Sequence, residues 1–373
     1  PEEEGDMLTK ERLEGLYREL RDRSVLSVYI DGGQSDPANR NAWRVRLNKA
    51  LADERRRVEA EAGDDVGAFD AARDAIAAEL GKYDAFLPAE GWAGYATSEA
   101  LHHGEEVPVP MPDLVRWERG LRAAPYVRAL KQERVVVAAL ADQRKARLFT
   151  YRAGELSERE DLIADLDFGD LTDATSSKRA DTQAGYSGYR GETGTDAAQR
   201  LIEQSAARLQ ARLVGIVSDL AGRDGLVVFG GSPAVVSALA KEAATGALGG
   251  RIAERPSLHL HMSEAEVKEA VEAAASELSR GLQDALLKQV IDAARSGGKG
   301  ALGIQAVTEA LREGRVDTLL VTRALREREG DLVDRFVGTA FEQGAEVEEI
   351  SGAAAERLDA EGEGAGARLR YTT

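Results

Sequence analysis

The chain has 373 residues, enough for two or three domains that each bury a core. Hydrophobic residues make up 43% but aromatics only 5%, so the cores must lean on Ala, Leu and Val. Cysteine is absent, which excludes a disulfide framework and any thiolate metal site. The formal net charge of −17 argues against a general nucleic-acid coat, which needs spare cations to displace counterions. A ligand that docks by shape, through a few local basic patches, stays open. Residues 1–12 are acidic and polar where a signal peptide needs a basic start and an apolar run. No apolar stretch approaches a membrane span, so a cytoplasmic protein without a membrane partner is expected.

In chain order, residues 7–23 predict a short amphipathic helix, Val25–Ile30 a strand and Asp31–Pro37 a turn. A helix follows over Ala38–Ala62, broken by Gly63, Asp64, Asp65 and Gly67, and a second runs to Leu80. Together they form a helical hairpin with an acidic tip. Trp92–Thr97 reads as a strand. Val107–Pro112 should be extended, because proline disfavours helix in the residue before it. The Arg-containing stretch Arg116–Leu130 closes a first domain, 1–131. Val135–Leu140 and Ala146–Tyr151 flank a polar turn, a hairpin signal. The polar segment Asp165–Thr195 contains Gly185, Gly188, Gly191 and Gly194; a loop of that length inside a compact domain is commonly functional.

Asp196 opens a long helix to Leu220, Gly225–Gly230 is a buried strand, and Pro233 sits at the first position of the next helix. Arg251–His261 reads as extended and ends a middle domain, 132–262. Ser263 and Glu266 form a capping box that opens the third domain, 263–373. There a helix ends near Gly314, Thr318–Thr322 is a strand and Asp331–Gln343 a helix. Glu346–Ile350 and Ala367–Tyr371 are the last strands, with a Gly- and Glu-rich turn between them. Alternation of strand and helix throughout means α/β domains.

Several groups could carry chemistry. Gly32-Gly33-Gln34 follows the first strand, where glycines usually serve a turn's need for positive φ. The loop 176–194 is the stronger candidate. Gly185 and Gly188 permit close backbone approach, Lys178, Arg179 and Arg190 can meet phosphates, and Tyr186 and Tyr189 offer faces for stacking on bases. The start of the first hairpin presents Arg40, Arg44, Arg46 and Lys49 around Trp43, with Glu54 placed to neutralise part of that face. His259 and His261 would share one face of a strand but lack the further ligands zinc needs. Ser232 with Pro233 behind it reads as an N-cap, and the same turn could take an anion. Asp142 has no evident carboxylate partners for a metal-dependent nuclease site. No cofactor is expected.

The order of these elements resembles the class 1 release factors of archaea and eukaryotes and Pelota. The resemblance rests on Arg116–Leu130, on Val135–Tyr151 and on Gly225-Leu226-Val227-Val228-Phe229-Gly230-Gly231-Ser232. It is most specific in Ala301-Leu302-Gly303-Ile304 through Ala310, Leu311 and Gly314 to Val316-Asp317-Thr318-Leu319-Leu320-Val321, with Gly344-Ala345 and the closing Gly366-Ala367-Arg368-Leu369-Arg370-Tyr371. It implies a bacterial member similar to the Balon-type hibernation factors, with rRNA of both ribosomal subunits as partner. The first domain would reach the decoding centre. The middle domain, RNase-H-like, would send its loop into the peptidyl transferase centre. The third, similar to kink-turn-binding ribosomal proteins, would meet a translational GTPase such as elongation factor Tu or the stalk base.

Two motifs depart from the family. Its release loop bears Gly-Gly-Gln, whereas residues 176–194 hold glycines and cations but no such triplet. Its stop-codon reader is Asn-Ile-Lys-Ser, whereas the hairpin tip here is Gly63-Asp64-Asp65-Val66-Gly67. The expected function is therefore occupancy of the ribosomal A site, in hibernation or protection, without codon reading and without catalysis. The alternatives are a rescue factor hydrolysing peptidyl-tRNA, with Gln183 or Gln199 positioning water, and a stress protein that reuses the fold.

Overall fold

The computed structural model describes residues 7–33, 41–61, 65–84, 86–87, 89–142, 145–160, 193–246 and 248–372, with backbone only for 193–206. The fold is α/β and contains three sheets. They fall into two compact units, one formed by 1–133 with 283–373 and the other by 134–282. The second division lies inside a single long helix, well past the capping box that opens it.

The first sheet has the order β3-β2-β1-β4, from β1 (Ser24–Asp31), β2 (Gly91–Ala96), β3 (Leu101–Val107) and β4 (Leu114–Arg119). Successive residues of a strand point to opposite faces, and β1 uses both. Leu26, Val28 and Ile30 pack with Trp43, Leu47, Leu51, Phe69 and Ile76 of the helical hairpin α2 (Ala42–Glu61) and α3 (Val66–Leu80). Val25 and Tyr29 face a second core, shared with α1 (Lys10–Leu20) and α4 (Ala124–Gln132). Thr9 caps α1 by accepting the Arg12 amide at 3.2 Å, and Leu13, Leu16 and Leu20 form its buried stripe. Sequence reading passes over β3, because its Leu-His-His-Gly-Glu-Glu-Val lacks a clean apolar alternation.

The C-terminal sheet belongs to the same unit. Its order is β10-β13-β11-β12, from β10 (Gly300–Leu302), β11 (Val316–Thr322), β12 (Glu346–Ile350) and β13 (Ala365–Leu369). Helices α8 (Ile304–Arg312) and α10 (Gly330–Glu342) cover one face through Val307, Leu311, Val333 and Phe336, residues of the same core that holds Val25 and Tyr29. The last turns of α7 (Glu264–Arg295) and α11 (Gly352–Gly362) cover the other through Val290, Ile291 and Leu358. A short α9 (Arg323–Arg328) follows β11. Helix α11 stands where a Gly- and Glu-rich turn is expected. Ala354 and Leu358 give it a buried stripe, and Glu363 at φ +55° then ends it.

The middle sheet runs β7-β6-β5-β8-β9, from β5 (Val136–Ala141), β6 (Ala146–Arg152), β7 (Glu155–Glu158), β8 (Leu226–Gly231) and β9 (Ile252–Arg255). An antiparallel meander β5-β6-β7 is followed by β8 and β9, each parallel to its neighbour, which is the strand order of an RNase-H-like core. Crossovers between parallel strands need helices. Here α5 (Thr193–Ala221) and α6 (Pro233–Ala244) pack on Val137, Ala139, Val227 and Phe229. The first turns of α7 cover the opposite face through Val267, Val271 and Ala274. The expected strand over Arg251–His261 stops at Arg255, because Pro256 cannot donate to a ladder. His259 and His261 consequently lie in turns and share no strand face.

Candidate functional site

The segment between β7 and α5 is the candidate ribosome-contacting loop. Lys178, Arg179, Gly185, Tyr186, Gly188, Tyr189 and Arg190 fall outside the described residues, as does Arg40. What the structure shows is how the loop's two ends are held. Arg147 on β6 forms a two-pronged pair with Glu158 at 2.8 and 2.7 Å, tying the last residue of β7 to the sheet. Such forks are the stronger class of ion pair. The same guanidinium lies 4.8 Å above the Phe149 ring and donates to the Leu260 and Met262 carbonyls at 3.0 and 2.7 Å. The Glu158 hydrogen bond raises the Arg147 pKa further. At the other end, Leu213, Val217 and Ala221 seat α5 in the core.

Gly230-Gly231-Ser232 ends β8 beside this region. Gly231 adopts φ +114°, and a side chain there would collide with the Ala141 carbonyl, so both conformation and space require glycine. Ser232 is the N-cap of α6, as expected, but its hydroxyl makes no cap hydrogen bond. Asp142 closes the β5–β6 turn by accepting the Lys145 amide at 2.7 Å. Among the described residues no group of three or more His, Asp or Glu could hold a metal ion.

The basic face expected at the start of the helical hairpin is engaged within the fold. Arg44 donates to the Tyr83 carbonyl and, at 3.1 Å, to that of Asp84, and its guanidinium lies over Trp43. Trp43 itself is buried. Arg46 pairs with Asp113 at 2.6 Å and donates to the Asp31 carbonyl. Lys49 is exposed. Glu54 does not neutralise these cations. It is buried, accepts the Trp117 amide at 2.6 Å, and holds Arg57. Gly32 and Gly33 also depart from expectation. Neither has positive φ, and Gly32 is required because a Cβ would strike the Ala89 carbonyl. Gln34 lies outside the described residues.

One charged cluster escapes sequence reading. Arg122, 8% exposed, forms a fork with Glu118 at 2.8 and 3.0 Å and reaches Asp331 at 3.1 Å and Asp334 at 2.8 Å on α10. Arg128 approaches Asp334 at 3.7 Å. Burial pushes the Asp334 carboxyl up and the Arg128 guanidinium down, while hydrogen bonding to Arg122 holds Asp331 low. Asp331 and Asp334 lie 209 and 212 residues from Arg122 in sequence, so no local spacing could pair them with it.

Residues 122–276, less than half of the chain, match the model of bacterial archaeo-eukaryotic release factor family 10. No curated protein matches. Among solved structures the chain is similar to an archaeal translation termination factor, at 17% identity over 98% of this chain and 99% of that one, with a TM-score of 0.26. It is similar to Pelota of Archaeoglobus fulgidus at 12% identity over 98% and 93%, with a TM-score of 0.34. A model of ribosome-bound archaeal Pelota gives 13% identity over 99% and 96%, with a TM-score of 0.37. The family match begins at Arg122 and takes in α4, the whole five-stranded sheet and the start of α7. Residues 122–276 are thus similar to the bacterial archaeo-eukaryotic release factors of family 10.

Proposed function

We propose that this chain is a ribosome-binding translation factor that occupies the A site during hibernation or protection, without reading stop codons. The observation that carries the reading is the family match over the middle sheet, in a segment where Gly-Gly-Gln does not occur. Catalysis of peptide release needs a group that positions water at the ester. The chain's one Gly-Gly-Gln, at residues 32–34, follows β1, in the first sheet and outside the matched segment.

In this reading Lys178, Arg179 and Arg190 meet rRNA phosphates, and Tyr186 or Tyr189 stacks on a base. Arg44, held by two carbonyls, supports the hairpin from within. Delivery by a translational GTPase such as elongation factor Tu, in the cytoplasm, belongs to the same proposal. No helix of the described residues is long and apolar enough to cross a membrane.

The test is cosedimentation with ribosomes from growing and starved cells, followed by chemical footprinting of rRNA. Protection in the A site, enriched after starvation and unchanged by Gln34→Ala, is the expected result. Absence from ribosomes in both conditions would sink the proposal. Release of peptide from a loaded ribosome, abolished by Gln183→Ala or Gln199→Ala, would replace it with the rescue reading.

A further inference from the structure

Strand β3, Leu101-His102-His103-Gly104-Glu105-Glu106-Val107, is outermost in the first sheet and pairs with β2 alone. The Gly32 amide donates to the Glu90 carbonyl at 2.9 Å, which fixes the alternation of the β1–β2 ladder. Trp92 and Gly94 turn their backbone groups toward β1, and Ala93 and Tyr95 turn theirs toward β3, opposite Glu105 and His103. The amides and carbonyls of Gly104 and Glu106 therefore point away from the sheet, and no described residue bonds to them. The ladder is irregular between Tyr95 and Ala96, at the His102 end of the strand.

Charge on an open edge usually guards it, because one sign along the strand repels a second copy. The charges of β3 do the reverse. Read outward from Gly104, each histidine on one side has a glutamate at the same distance on the other, and Leu101 has Val107. Two copies laid antiparallel about Gly104 bring His103 opposite Glu105, His102 opposite Glu106 and Leu101 opposite Val107. Gly104 meets its own counterpart at the axis, with outward backbone groups on both sides and no side chain between them. Registers centred on Glu105 or Glu106 set a carboxylate against itself, and one centred on His103 sets an imidazole against itself. Complementarity thus selects a single register.

We infer that β3 pairs with β3 of a second copy, antiparallel about Gly104, and joins the two four-stranded sheets into one. The same patch on both copies forms the contact, as a two-fold axis requires. The side chains suit this partner. Glu105 and Glu106 form no ion pair among the described residues; Glu106 meets the Tyr83 hydroxyl, and Lys82 beside them is held by Glu79. Burial pushes the Glu105 carboxyl up, and His103 Nε2 is buried without a partner. Residues opposite each other in a non-hydrogen-bonded pair stand about 4.5 Å apart at Cα, the closest approach in the ladder, and His103 and Glu105 form such a pair across the axis. The interface lies outside the family match and does not depend on the ribosomal reading.

Sedimentation equilibrium of the full-length protein should show a monomer–dimer equilibrium with a dissociation constant on the order of 10 µM. Hydrogen exchange at the Gly104 and Glu106 amides should slow as protein concentration rises through that value. Glu105→Lys, at an exposed position, sets a cation opposite His103 and should weaken the dimer about tenfold or more with the melting temperature unchanged. His102→Glu alone sets two carboxylates opposite each other, and Glu106→Lys alone sets a cation opposite an imidazole, so each should weaken it as well. Both in one chain restore opposite charges in each pair and should recover parental affinity to within about threefold. A monomer at every concentration up to about 1 mM overturns the proposal. So does a dimer whose Gly104 and Glu106 amides exchange at the monomer's rate, or one that Glu105→Lys leaves intact. Failure of the double variant to recover the dimer, in a chain that melts like the parent, overturns the register and with it the pairing.

Discussion

His103 makes the stability of the first unit depend on pH, in a direction set by its burial. It lies on β3, 7% exposed, stacked on Tyr95 at 5.5 Å and edge-on to Tyr126 at 5.9 Å. Its Nε2 is buried and has no hydrogen-bond partner among the described residues. Burial, with a smaller contribution from the Arg12 guanidinium, pushes its pKa from 6.5 down to about 4. The unfolded chain therefore binds more protons than the folded one between those values. Stability is fully present above about pH 6.5, falls as the pH drops, and stops falling near pH 4. Linkage over these two values gives a loss of about 2 kcal/mol between roughly pH 7.5 and pH 5.

The three tryptophans, Trp43, Trp92 and Trp117, all lie in this unit, so their fluorescence during urea unfolding reports on it alone. His103→Phe keeps a ring against Tyr95 and removes the titrating group. The parent should lose about 2 kcal/mol more than the variant over that interval, whatever the carboxylates contribute to both. Parallel losses would refute the assignment of a buried, neutral imidazole.

Asp334→Ala leaves Arg122 and Arg128 short of a buried carboxylate and should cost about 3 kcal/mol in the same unfolding experiment; a cost under about 1 kcal/mol would show the cluster to be solvated. Gly231→Ala imposes a side chain on positive φ and on the Ala141 carbonyl, and should destabilise the middle unit by roughly 2 kcal/mol or more, read by hydrogen exchange in β5 and β8. For the loop, Lys178→Ala with Arg179→Ala should weaken ribosome binding and lower its salt slope by about one unit for each phosphate left without its cation. Tyr186→Ala with Tyr189→Ala should cost about 1–3 kcal/mol per stacked base with little change in that slope. Parental binding by both double variants at every salt concentration would make the loop a passive tether.

Elements with a strong local signal were legible in the sequence. The hairpin β5–β6 appears within a residue of its predicted ends, because β-rich runs flank a turn closed by Asp142 and Lys145. The Ser263–Glu266 box is likewise present, with the carboxylate accepting the Ser263 amide at 2.8 Å. Segments whose state is settled by tertiary packing were not legible. Strand β3 carries two histidines, one buried against tyrosines from other elements, and α11 hides its stripe among alanines and glycines. The engagement of Arg44 was not legible either. Its acceptors are backbone carbonyls about 40 residues away, beyond any periodic pattern.

The core that unites Leu13, Tyr29 and Tyr126 with Val333, Phe336 and Ala367 has a consequence for how the protein is made. Translation delivers the first sheet before the 134–282 unit and the C-terminal sheet after it. The middle unit has every residue it needs once α7 is halfway out of the exit tunnel. The N-terminal segment, by contrast, must wait with its apolar side uncovered until β13 emerges. A nascent chain arrested before Ala365 would carry a folded middle attached to a sticky, protease-sensitive front end. Quality control could thus read out whether the first sheet and the C-terminal sheet have met.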